Sequence, residues 1–97
     1  LHYLPKGSEL APVFGEASVL DSNAAAVMPS ISLNELPGAK VFARSVTLKD
    51  GEVKTGSDLQ LYPFGNGKIM FNQFNVFEGL ETNVLADKLF ATIVNLL

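Results

Sequence analysis

Few residues in this chain are able to do chemistry, and they stand far apart. His2 is the single histidine and sits at the second position. Imidazole is the commonest proton shuttle near neutral pH. His2, however, has no acid beside it in sequence and no second histidine with which to hold a metal, so it reads as a surface or loop residue. Glu78 and Glu81 flank Gly79-Leu80 just ahead of the last apolar segment. A glycosidase needs two carboxylates about 5–10 Å apart across a sugar, and this pair is close enough in sequence to reach that spacing. Acids ahead of a helix also complement the positive end of its dipole, and that is the simpler reading. Asp50, Glu52 and Asp58 lie in or beside turns and read as solvated.

The remaining candidates are weaker. Gly65-Asn66-Gly67-Lys68 has glycines and a lysine but lacks the spacing and the following Ser/Thr of a phosphate loop, and it leads into a strand rather than a helix. It reads as a hairpin turn. Ser8, Ser18, Ser22, Ser30, Ser32, Ser45 and Ser57 form no nucleophile-elbow motif, and a single histidine near the start argues against a Ser-His-Asp machine. Asn72, Gln73 and Asn75 are amides on an apolar strand. They could bond a ligand at the strand end, but such groups more often satisfy loop backbone. With no cysteine there is no disulfide, thiol nucleophile or thiolate metal site. The residues suggest no catalytic, metal-binding or cofactor-binding set.

The elements that must position these groups follow from pattern. Lys40 to Leu48 is rich in β-formers and bounded by Gly38 and Asp50-Gly51, a strong hairpin signal. Residues 57–63 alternate up to Pro63. Lys68 to Val76 carries apolar residues on both faces and so predicts a central strand covered on both sides. Val84, Leu85, Leu89, Phe90, Ile93, Val94, Leu96 and Leu97 recur at helical spacing after Thr82 or Asn83 as the cap. This helix is expected to dock on the sheet. The first 35 residues read as irregular, broken by Pro5, Gly7 and Pro12, with one helical turn or a short strand near Ala24–Met28 and a turn at 32–36.

Composition sets the outer bounds. Ninety-seven residues allow one domain with one modest core. The net charge is −3 and the seven bases are scattered, which argues against nucleic acid. No apolar run approaches the roughly 20 residues that span a bilayer, so no membrane partner is expected. Hydrophobic residues are 47% and charged residues 18% of the chain, fewer charges than the roughly 25% of an average soluble domain. A partly apolar surface, covered in a larger parent or an oligomer, would account for this; so would a large core in a small domain.

A resemblance enters at Phe64-Gly-Asn-Gly-Lys-Ile-Met-Phe-Asn-Gln-Phe-Asn-Val-Phe, followed by Leu85-Ala-Asp-Lys-Leu-Phe and Asn95-Leu-Leu. These segments resemble the C-terminal half of glutamine-amidotransferase-like, flavodoxin-like domains appended to glycoside hydrolases of the family 2, β-galactosidase type. Phe64, Gly65, Gly67, Lys68, Gln73, Ala86, Asp87, Lys88, Leu89 and Asn95 fit the pattern. Leu36-Pro-Gly-Ala-Lys-Val-Phe-Ala is similar to the preceding strand, and Val84 stands where the family often has proline. The resemblance covers 36–97. It implies an excised or shortened accessory module that packs against neighbouring domains, with the catalytic glutamates on a separate barrel. No catalytic residue carries over. It further implies contact with carbohydrate through aromatic residues such as Tyr62 or Phe77, although apolar core is the simpler role for both, and a periplasmic or extracellular location.

The expectation is therefore a single mixed α/β domain over 1–97: an irregular 1–35, then an antiparallel meander near 40–48, 57–63 and 68–76 with a C-terminal helix packed on it. If the parent geometry persists, the meander belongs to a flavodoxin-like sheet. The expected function is that of a non-catalytic accessory domain of a β-galactosidase-like hydrolase, the alternatives being a freestanding carbohydrate- or protein-binding module and a small hydrolase using Glu78 and Glu81.

Overall fold

A computed structural model, which describes residues 1–15, 19–20 and 22–97, contains a five-stranded sheet and one α-helix. The meander forms as its turn residues dictate. β3 in the chain order (Lys40–Lys49) reverses through Asp50-Gly51 into β4 (Glu52–Phe64). Both turn residues have positive φ, 53° and 77°, as a two-residue hairpin matched to strand twist requires. Gly65, also at positive φ, opens the turn into β5 (Gly67–Asn72). Two short strands, β1 (His2–Tyr3) and β2 (Val19–Leu20), complete the sheet in the order β2-β1-β3-β4-β5, with every pairing antiparallel. The segment expected to be irregular thus supplies one flank of the sheet. Of the helical turn or short strand expected near Ala24–Met28, the structure has the turn, a 3-10 helix over Ser22–Val27.

The stretch Lys68–Val76 departs from expectation. Its strand ends at Asn72 and stands at the sheet's edge. The Asn72 side chain accepts the Phe74 N–H (2.9 Å) and donates to the Phe74 carbonyl (3.2 Å), a local turn that competes with the ladder. Phe74 and Val76 then dive into the core from a loop, while Ile69 remains 39% exposed. The apolar residues on both faces were read as one buried strand; they belong to an edge strand and a core-filling loop.

α1 (Val84–Leu96) starts where Asn83 caps it, Oδ1 accepting from the N–H groups of Leu85 (2.9 Å) and Ala86 (3.1 Å). Its buried residues Ala86, Leu89 and Ile93 join Leu4, Leu10, Ala24, Val27, Phe42, Leu59, Phe74 and Val76 in one core. Burying a side chain such as Leu89 stabilises by roughly 1.5–3 kcal/mol. The helix shares its core with strand residues Leu20, Phe42, Ala43 and Leu59, and its backbone runs close to the 3-10 turns at Ser22–Val27 and Phe77–Gly79. Among the described residues no helix is long and apolar enough to cross a membrane.

Two features of the sheet position the candidate site. The β3–β4 register steps from Val41↔Gln60 to Ala43↔Leu59 to Arg44↔Ser57, leaving Phe42 and Asp58 without cross-strand partners. Such bulges re-aim a side chain out of strict alternation, and both of these are buried. Beyond the bulges, Thr47–Thr55 forms a projecting hairpin arm. Its β3 rail passes β1, whose pairing stops at Ser45, and its β4 rail passes β5, whose pairing begins opposite Leu59.

Candidate functional site

The polar side chains that converge are His2, Ser32 and Asp58. Asp58 was read from sequence as solvated; its side chain is instead completely buried. His2 was read as a lone surface or loop residue; its Nδ1 lies 2.7 Å from Asp58 Oδ2, and its side chain is 24% exposed. Ser32 Oγ donates to Asp58 Oδ1 at 2.5 Å. A carboxylate at the hub satisfies both donors, and a buried charge without such partners would be far costlier. Sequence reasoning missed this pairing because the partners are 56 and 26 residues from Asp58. A usable signal was present in Gly56-Ser57-Asp58: small residues inside a strand mark close approach by another backbone. A Cβ on Gly56 would stand 2.9 Å from Ser32 Cβ and 3.0 Å from the Leu33 carbonyl oxygen. The absence of that carbon lets the 30–36 segment cross the sheet here.

The arrangement limits the chemistry. In a nucleophilic triad the imidazole stands between hydroxyl and carboxylate and takes the hydroxyl proton. Here the carboxylate stands between, and the imidazole does not reach the Ser32 hydroxyl, so the three do not form such a triad. With Nδ1 engaged by Asp58, His2 keeps one free nitrogen, Nε2. The cluster serves first as a latch. Asp58 ties β1 and the crossing segment to β4, and two residues on Gln60 ties the crossing segment to β4 again, accepting from Leu36 N–H (2.9 Å) and donating to the Asn34 carbonyl (3.0 Å). Leu33 and Ser57 exchange backbone bonds in the same crossing (3.1 and 2.6 Å). The Ser57 hydroxyl is buried with no hydrogen-bond partner among the described residues.

Between the crossing segment and the base of the arm lies a cleft of about 430 Å³. Its polar lining comes chiefly from His2, Ser32, Ser45, Thr47, Lys49 and Lys54, and among the described residues no Asp, Glu, Phe or Tyr lines it.

The other sequence candidates lie elsewhere. Tyr62 is half-buried on β4 opposite Ile69. Phe77 is 72% exposed, not core, and meets Phe90 edge-on at 5.9 Å between centroids. Glu78 accepts from Asn75 Nδ2 (3.3 Å). Glu81 is exposed at φ 69°, its N–H donating to Asp87. Of the three amides, the Asn72 side chain satisfies loop backbone as the simpler reading has it, the Asn75 side chain donates to Glu78, and Gln73 bonds through its backbone N–H to the Asp58 carbonyl (2.8 Å). Ser8 is buried on the Phe42 carbonyl, and Ser18 lies outside the described residues. Among the described residues no three His, Cys, Asp or Glu side chains gather as a metal site would require. No family model, curated protein or solved structure matches the chain.

Proposed function

We propose that this chain is a non-catalytic accessory domain that docks against a neighbouring domain of a larger polypeptide, the parent being a β-galactosidase-like glycoside hydrolase. The observation that carries the docking role is an apolar stripe on the outside of the molecule. While Ala86, Leu89 and Ile93 face the core, Phe90, Val94 and Leu97 follow one another at helical spacing on the adjoining face, with Phe77 against Phe90. Val94 and Leu97 are 50% and 58% exposed. Covering such side chains is favourable by roughly 1.5–3 kcal/mol each when burial is complete, and clustered exposed apolar groups mark interaction surfaces. The use of the His2–Asp58–Ser32 cluster as a latch supports the non-catalytic part. The hydrolase parent rests on the likeness of Phe64–Phe77 and Leu85–Leu97 to the amidotransferase-like domains of such enzymes. In that reading the meander is the antiparallel edge of a flavodoxin-like sheet. The hydroxyl-lined cleft favours the second reading, a small-molecule-binding module such as one for carbohydrate.

The test begins with the natural open reading frame, where an upstream barrel with two glutamates is expected. In that parent, F90D/V94D should lower thermal stability or disrupt oligomerisation while leaving barrel hydrolysis per folded molecule intact. Glycoside hydrolysis by the isolated chain, or a double variant indistinguishable from the parent in both readouts, would reject the proposal.

A further inference from the structure

The cleft at the base of the arm is not needed for docking, and its chemistry points to a ligand of its own. We infer that it binds a small oxyanion: a phosphate, a sulfate or a carboxylate. Its charged lining residues are Lys49 and Lys54, accompanied by serines, threonines and His2. Asp58 lies beneath with both oxygens occupied by His2 and Ser32. Its negative charge is therefore engaged below the floor and is not presented to an entering anion.

The two lysines are placed by register. Thr47 stands opposite Lys54 and Lys49 opposite Glu52, so Lys49 and Lys54 are diagonal neighbours on one face of the arm, within mutual reach. Among the described residues neither ammonium forms an ion pair, whereas Lys40 and Arg44 are paired with Glu9 and Glu35. Glu52 shares the face but lies outside the lining and beyond ion-pair distance of Lys49. Asp50 sits in the turn past it. Two like charges held side by side repel, and an anion between them removes that repulsion while accepting from the Thr47 hydroxyl; the single Ser32 proton stays on Asp58. His2 Nε2 offers a further contact when it carries a proton. Small-molecule pockets begin near 300 Å³, so about 430 Å³ has room for an oxyanion carried on a monosaccharide-sized body.

The test is an amide chemical-shift titration of the chain with sodium phosphate, sodium sulfate and sodium glucuronate, ionic strength held constant with sodium chloride. Saturable shifts centred on Ser32, Thr47, Lys54 and Thr55 are expected with at least one oxyanion and not with chloride. K49Q/K54Q should weaken that binding by roughly tenfold or more, and each single change by roughly three- to tenfold, with an unchanged circular dichroism spectrum. K68Q/K88Q, outside the cleft, should have no effect. Tighter binding of glucuronate would identify an oxyanion borne on a polyol; tighter binding of phosphate or sulfate, the free inorganic ion. Shifts that never saturate, that chloride reproduces, or that K49Q/K54Q leaves unchanged would overturn the inference. None of these outcomes depends on whether the helix stripe docks.

Discussion

Replacing Asp58 is the sharpest probe of how this fold is held. Asp58→Ala removes the acceptor of two hydrogen bonds, from His2 (2.7 Å) and Ser32 (2.5 Å), at a site that excludes water. Bonds to a charged group contribute roughly 1.5–3 kcal/mol each. His2 and Ser32 border the cleft, so water can reach them once the carboxylate is gone and part of that sum is recovered. The net expectation is a loss of about 2–4 kcal/mol, a large share of the roughly 5–15 kcal/mol that stabilises a domain. Asp58→Asn keeps the volume: its carbonyl still accepts from Ser32, and its amide can donate to Nδ1 if the imidazole moves its own proton to Nε2. That variant should lose only about 1–2 kcal/mol. Urea unfolding would read both as lower midpoints at constant slope, with hydrogen exchange accelerated first at Tyr3 and Leu33. An Asp58→Ala midpoint within about 0.5 kcal/mol of the unaltered chain, the range of ordinary surface changes, would refute the latch.

Two further outcomes follow from local geometry. Gly56→Ala drives a methyl group to 2.9 Å from Ser32 Cβ and 3.0 Å from the Leu33 carbonyl oxygen; the resulting displacement of the crossing segment should cost about 1–3 kcal/mol in thermal or urea unfolding. Asn83→Ala removes the acceptor for the Leu85 and Ala86 N–H groups and should cost about 0.5–2 kcal/mol, with faster amide exchange confined to the first turn of α1.

Local signals were legible in the sequence and distant ones were not. Asp50-Gly51 and Gly65-Asn66-Gly67 marked both hairpin turns, and Thr82 or Asn83 the start of α1, where Asn83 is the cap, because each depends on the conformational freedom or hydrogen bonding of a residue and its immediate neighbours. The three-strand meander followed from them. Lys68–Val76 misled because period-two apolar patterning does not distinguish a strand that continues from one that Asn72 ends. Exposure of Phe77 was hidden for a related reason: an aromatic residue reads as core until the packing around it is known. The His2–Asp58–Ser32 cluster was hidden most deeply, since it exists only after β1 and the crossing segment have met β4, and no spacing rule relates positions 2, 32 and 58.

The projecting arm has a consequence for life in a crowded solution. Among the described residues no strand pairs with either of its two long sides, and one face displays Leu48 and Val53 at 73% and 69% exposure. A finger of this kind is adhesive toward any extended polypeptide, including its own copies. Lys49 and Lys54 stand on the opposite face, and like-charged fingers approaching one another must desolvate ammonium groups and bring them together. Neutralising that pair would therefore leave a stickier molecule, and its first symptom would be concentration-dependent light scattering, not unfolding.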